Sequence, residues 1–77
     1  MTRTEWIDIF GDNLSSILED QGMSQNQLAK DSGVSIGMIS DYVNKFSAPG
    51  IFAAINISYA LDIDIDELLD FGEPIEL

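Results

Sequence analysis

The sequence contains no cysteine and no histidine, and only three of its 77 residues are basic. Without cysteine there is neither a disulfide nor a thiolate metal site, and without histidine the commonest general base is missing. No apolar run reaches the roughly 18 residues that a membrane-spanning helix requires. Residues 1–5 also lack the pattern of a secretory signal. We therefore expect a cytoplasmic protein without a membrane segment.

Nothing in the sequence supports catalysis. There is no phosphate-binding glycine loop and no metal-spaced cluster. Asp62, Asp64 and Asp66 resemble a calcium loop only superficially, because the required glycine and the correctly spaced closing glutamate are absent. We expect no catalytic residues, no metal, no cofactor and no enzyme activity.

Acidic residues outnumber basic ones by 14 to 3, for a net charge of −11. A polyanion such as DNA should be repelled by the chain as a whole. The charge is uneven, however. Residues 1–20 carry one base against five acids, residues 21–61 carry two of each, and residues 62–77 carry seven acids and no base. The middle of the chain is therefore neutral.

Apolar residues recur at steps of three and four, which predicts an all-α domain of four to five short helices. Thr2 and Thr4 are both candidate caps for the first helix, and Thr2 with Glu5 spells a capping box. Ser24 with Gln27 spells a second capping box at the second helix, and Ser35 is a candidate cap for the third. We place the helices at about residues 5–21, 25–32, 36–44, 50–61 and 65–70.

Three of these helices have apolar residues whose spacing predicts which side faces the core. In the third helix these are Ile39 and Val43, with Tyr42 flanking. For the first and fourth helices the predicted stripes are Ile7, Phe10, Leu14 and Ile17, and Ile51, Ala54, Ile55, Ser58 and Leu61.

The fifth helix has a competitor. Residues 62–66 alternate Asp and Ile, the pattern of a half-buried strand. Five residues make a poor strand without a partner, whereas Asp64 and Glu67 have the spacing of a helix cap. We therefore favour a helix. Residues 1–70 form the predicted domain, and residues 71–77 an extended acidic C-terminal tail in which Pro74 prevents a helix.

Two short helices joined by a three-residue turn containing glycine define a helix-turn-helix, and residues 25–44 have this form. The sequence here resembles the Xre family of lambda-repressor-like, Cro-type domains over about residues 10–70. The matching positions are Ser24-Gln25, Leu28-Ala29, Gly33-Val34-Ser35, Ile39, Asn44, Pro49, Ala60-Leu61 and Asp66-Glu67-Leu68-Leu69.

The resemblance implies a recognition helix at about 36–44 and a set of DNA-contacting positions. Gln25 matches a residue that contacts backbone phosphate, although it is equally an ordinary helix-start residue. Asn44 and Lys45 match a loop that often touches phosphate, and a solvated charge at Lys45 is an equal alternative. The implied DNA-binding residues are Gln25, Ser35, Ile36, Gly37, Met38, Asp41, Asn44 and Lys45.

The chemistry of these positions departs from the usual pattern. Bases are normally read by Arg, Lys, Asn or Gln, and none of these occurs at Ile36, Gly37, Met38 or Asp41. Ile36 or Met38 could contact a thymine methyl group, and Gly37 allows close backbone approach. Asp41 could only accept a hydrogen bond from cytosine.

A second set of residues predicts a partner surface: Phe52, Tyr59, Phe71, Ile75 and Leu77. Exposed apolar patches of this kind often mark interfaces. The alternative is that the C-terminal tail folds back within the monomer and covers Phe52 and Tyr59.

Two functions follow. The first is a small transcriptional regulator of phage or prophage type that binds double-stranded DNA as a homodimer. The second is an acidic helix-turn-helix protein with little DNA affinity that binds a basic protein partner, as an anti-repressor or DNA mimic would. The family resemblance favours the first, and the net charge with the missing base readers favours the second.

Overall fold

A computed structural model describes residues 1–69 and 71–77, and all regular elements in those ranges are α-helices. The segment that alternates Asp and Ile leads into a helix, so the predicted helix is correct and the competing strand is not. Asp70, the predicted last residue of this helix, lies outside the described residues. The helices are α1 Arg3–Gln21, α2 Gln25–Ser32, α3 Ile36–Val43, α4 Ile51–Leu61 and α5 Ile65–Leu69.

The start of α1 lies two residues earlier than predicted because Thr2 caps it. The Thr2 hydroxyl accepts a hydrogen bond from the Glu5 amide at 3.1 Å, and the Glu5 carboxylate accepts one from the Thr2 amide at 3.2 Å. This reciprocal pair satisfies two amides that the helix itself leaves without partners. The bond from the Thr2 amide is also the main reason why the pKa of Glu5 lies below its usual value.

The end of α3 directs the following side chain towards α1. Lys45 adopts a left-handed conformation with φ 67°. The amides of Lys45 and Phe46 donate to the carbonyl oxygens of Tyr42 (3.2 Å) and Asp41 (2.9 Å). These two bonds form a Schellman motif, although glycine is the usual residue at the left-handed position. The motif ends the helix at Val43, one residue before the predicted end.

The core lies between α1 and the four shorter helices. α3 and α5 both pack against α1, and α2 packs against α3 and α4. Aromatic contacts connect α1 to α3, since the rings of Phe10 and Tyr42 meet edge to face at 6.1 Å. The buried core residues are Phe10, Leu14, Leu18, Leu28, Val34, Ile39, Tyr42, Ile57, Leu61 and Leu68.

The inward face of α3 differs from the prediction. Tyr42 is fully buried and Val43 only half-buried, so the expected order of these two residues was wrong. The reason lies in α1, where Gly11 is buried against the end of α3. A β-carbon at Gly11 would lie 2.8 Å from the Tyr42 carbonyl oxygen and 2.9 Å from Lys45 Cγ. This close approach brings Tyr42 under α1.

The buried stripe of α4 was also only partly predicted. Ala54, Ser58 and Leu61 are buried as expected, but Ile51 is exposed and Ile57, which the predicted stripe omitted, is fully buried. The apolar residues of α4 lie on all sides of the helix, so their periodicity alone does not show which face is buried. Packing against α2 and α5 makes that selection.

Candidate nucleic-acid interface

The turn between α2 and α3 is held by short-range hydrogen bonds. Gly33 takes the left-handed conformation (φ 73°), and its amide donates to the Ala29 carbonyl oxygen at 3.0 Å. The hydroxyl of Ser32, a buried side chain, accepts from the Val34 amide at 3.1 Å. Val34 itself is buried beneath the turn. The start of α3 is therefore fixed relative to α2.

Ser32 was not among the predicted functional or core positions. Its buried hydroxyl stabilises the turn by supplying a partner for an otherwise unsatisfied amide. The signal was available in the sequence, because serine directly before a glycine turn is a common local acceptor for the backbone.

The first turn of α3 projects into solvent. Ser35 caps the helix, its hydroxyl accepting from the Met38 amide at 3.2 Å. Ile36 is 44% exposed and Met38 is 47% exposed. Gly37 is also exposed, and a β-carbon there would meet nothing within 4 Å. Four predicted contact residues thus lie together on one outward turn, and Asp41 is exposed one turn further on.

This outward surface is apolar with one carboxylate. It can offer van der Waals contact to a thymine methyl group and close backbone approach at Gly37, but it offers no cationic or amide side chain to a base edge. Next to it, an open groove of about 570 Å³ lies between the end of α2 and the start of α3. Lys30 and Ile36 both line this groove, so a cation lies beside the first turn of α3.

The residues after α3 are engaged within the protein. Lys45 Nζ forms an ion pair with the Asp12 carboxylate of α1 at 2.8 Å. The hydrogen bond and charge of Asp12 raise the pKa of Lys45. The Asn44 side-chain amide donates to the Ser40 hydroxyl at 3.1 Å. Lys45 therefore already has a carboxylate partner, and a phosphate would have to compete for it.

Gln25 is the first residue of α2 and is half-buried. Ser24 caps this helix by accepting from the Gln27 amide at 3.0 Å, whereas the Gln27 side chain donates to Asp31 at 2.7 Å. The predicted capping box is therefore only half formed. The amides of the first turn have no partner within a helix, and they suit an anion.

The predicted partner surface is divided. Phe52 and Tyr59 are 82% and 80% exposed on α4. Phe71 instead packs edge-on against Trp6 of α1 at 4.7 Å, and Ile75 lines a pocket with Trp6, while Leu77 is exposed. The alternative in which the tail covers Phe52 and Tyr59 is not what the structure shows. The tail lies beside the start of α1 instead, where the Glu76 amide donates to the Met1 carbonyl oxygen at 2.8 Å.

The model of the family described as Helix-turn-helix (HTH_3) matches residues 14–68. The chain belongs to this family. The family's domains are DNA-binding regulators and are typically not enzymes. Comparison with curated proteins and with solved structures found no significant match.

Among residues 1–69 and 71–77, no helix combines the length and hydropathy needed to cross a membrane. Within the same described ranges, no group of three or more acidic side chains has the geometry of a metal site.

Proposed function

We propose that this protein is a transcriptional regulator of the phage-repressor type that binds a short operator as a two-fold dimer in the cytoplasm. The observation that carries the proposal is the first turn of α3, which projects outward from a turn held by Gly33 and Ser32. In helix-turn-helix proteins this turn enters the major groove. Membership of the HTH_3 family supports the same role.

The contacts would differ from those of a typical operator reader. Ile36 and Met38 would pack against thymine methyl groups, and Gly37 would let the backbone approach the bases. The amides at the start of α2, with the side chain of Gln25, would hold a phosphate. Lys30 would approach a second phosphate from the neighbouring groove.

The low number of cations predicts weak salt dependence. With about two phosphates neutralised per protomer, the slope of log K against log salt would be near −2, or near −4 for a dimer. Most of the acidic residues lie in residues 1–20 and 62–77, and there they would limit non-specific binding.

The test is fluorescence anisotropy with DNA from around the protein's own gene at low salt. Ile36→Glu should abolish binding because it places a carboxylate in the major groove. Leu77→Glu, which adds the same charge at an exposed tail position, should leave binding nearly unchanged. Absence of binding by the unaltered protein at high concentration would contradict the proposal.

The Lys45–Asp12 ion pair favours a second candidate, an acidic protein that binds a basic partner and has little DNA affinity. Because one of the few cations near α3 is already neutralised, the exposed carboxylates dominate the surface. A basic nuclease or repressor would recognise them as it recognises phosphates. Binding that survives charge reversal of the residues 73–77 acids would count against this candidate.

A further inference from the structure

The α4–α5 groove is a second surface, formed where the last two turns of α4 meet the start of α5. Its volume is about 350 Å³, and its apolar part consists of Ile55, Tyr59, Ile63 and Ile65. The Ser58 hydroxyl that also faces it is already satisfied, since it donates to the Ile55 carbonyl oxygen at 2.7 Å. The groove is therefore mainly an apolar binding surface.

Acidic side chains form the rim of the α4–α5 groove. Asp64 lines the groove itself. Asp62 and Glu67 line an adjoining pocket that shares Tyr59, Ile63 and Asp64 with the groove. All three carboxylates are exposed. Within the described part of the chain, no ion pair neutralises any of these three carboxylates. An apolar floor beside unpaired acids suits a ligand that is apolar on one side and basic on the other.

Phe52 extends the same surface along α4. It precedes Tyr59 by seven residues, or about two helical turns, so both lie on one face of the helix with Ile55 between them. Phe52 and Tyr59 are among the most exposed apolar residues described. Large aromatic side chains of this kind are the usual anchors of protein interfaces.

Three other occupants fit less well. The protein's own tail is excluded, because residues 71–77 lie against the start of α1. A second copy would bring two acidic rims together, each on a chain of net charge −11. A small cofactor would need more enclosure than an open groove at the lower end of ligand-site volumes provides.

We propose that the α4–α5 groove binds an amphipathic helix of another protein, with its apolar side chains on Ile55, Tyr59 and Ile63 and its Lys or Arg side chains on the acidic rim. α5 packs on α4 and α1, whereas α3 packs on α1 and α2. The groove is thus separate from the first turn of α3, and the proposal does not depend on whether α3 binds DNA.

The test uses the full chain and a blocked synthetic peptide of about four helical turns, composed of Leu on one face and Lys on the other. Two control peptides replace Lys by Glu or Leu by Ser. Nuclear magnetic resonance titration should show saturable shifts at Ile55, Tyr59, Ile63 and Ile65 with the first peptide only. Shifts centred on α1 or residues 71–77 would overturn the proposal.

Matched variants separate the groove from general charge attraction. Asp62→Asn with Glu67→Gln should weaken peptide binding roughly tenfold, and Asp8→Asn with Glu76→Gln, which removes the same charge elsewhere, should change it little. Tyr59→Ser should weaken binding roughly tenfold, unlike Phe46→Ser at an exposed aromatic outside the groove.

Equal effects of the groove variants and their controls would overturn the proposal. So would a concentration-dependent dimer, seen by sedimentation, that Tyr59→Ser abolishes, since the occupant would then be a second copy. Loss of DNA binding by Ile36→Glu with unchanged peptide binding is expected, because the two sites are independent.

Discussion

The two faces of α3 differ sharply in burial. Ile39 and Tyr42 are buried in the core and hold the helix in place, whereas Ile36 and Met38, on the same eight-residue helix, are about half exposed and contribute little to the core. If α3 binds DNA as proposed, the stability of the fold and the choice of DNA sequence would therefore depend on different residues. Substitutions on the outward face can change what α3 binds without unfolding the domain.

The largest effect should come from Ile39→Ala compared with Met38→Ala. Removing the fully buried Ile39 side chain leaves a cavity and should lower the free energy of unfolding by about 2–5 kcal/mol. Met38→Ala should change it by less than about 0.5 kcal/mol. Urea unfolding followed by circular dichroism measures both. Similar losses in the two variants would mean that the faces are not separated in this way.

Gly11→Ala should come next. A β-carbon there meets backbone oxygen at 2.8 Å, so α1 and α3 must separate, at a cost of about 1–3 kcal/mol that exceeds the gain of about 1 kcal/mol in helix propensity. Ser16→Ala, on the exposed side of α1, is the control and should raise the melting temperature slightly. An increase in stability for Gly11→Ala would disprove the close contact.

Tyr42→Phe should have a smaller effect of opposite sign. Within the described residues, the buried Tyr42 hydroxyl has no hydrogen-bond partner, and burial raises its pKa. Removing the hydroxyl should stabilise the protein by up to about 1 kcal/mol, while the exposed Tyr59→Phe should not. A clear loss of stability would show that the hydroxyl has a partner.

Asp12→Asn should have the smallest effect on stability but a measurable effect on the pKa of Lys45. The Lys45 pKa is raised in the folded protein, so the pair stabilises the fold below the usual lysine pKa of 10.5 and loses this effect as pH rises through the folded value. Asp12→Asn should lower the Lys45 pKa and strengthen DNA binding a few-fold.

Resonances of the lysine side chain report the pKa change, and anisotropy reports the affinity. Asp20→Asn removes the same charge from the other end of α1 and should leave the Lys45 pKa unchanged. If Asp12→Asn also leaves it unchanged, the ion pair does not control Lys45.

Local signals predicted the helices and the turn well. Ser24, Ser35 and Gly33 act through bonds to residues three or four positions away, so their effect is visible in a short stretch of sequence. The exposed first turn of α3 followed from the same signals. The left-handed conformation of Lys45 did not, because the glycine that usually marks this position is absent.

Long-range contacts were predicted less well. Where residues 71–77 pack depends on which apolar surface they fit better. Phe71 packs against Trp6 and not against Phe52 or Tyr59. Similarly, no pattern in the sequence predicts that Gly11 lies against the end of α3. Both outcomes join residues far apart in the chain.

The sequence by itself determined the all-α class, the positions of the helices and the helix-turn-helix, because capping bonds and apolar periodicity act over a few residues. The tertiary structure alone decided that Lys45 is paired with Asp12, that Tyr42 is buried, and that Ile55 and Tyr59 share a groove with Ile63. Those outcomes depend on how closely two helices approach, and close packing couples that distance to side chains throughout the core.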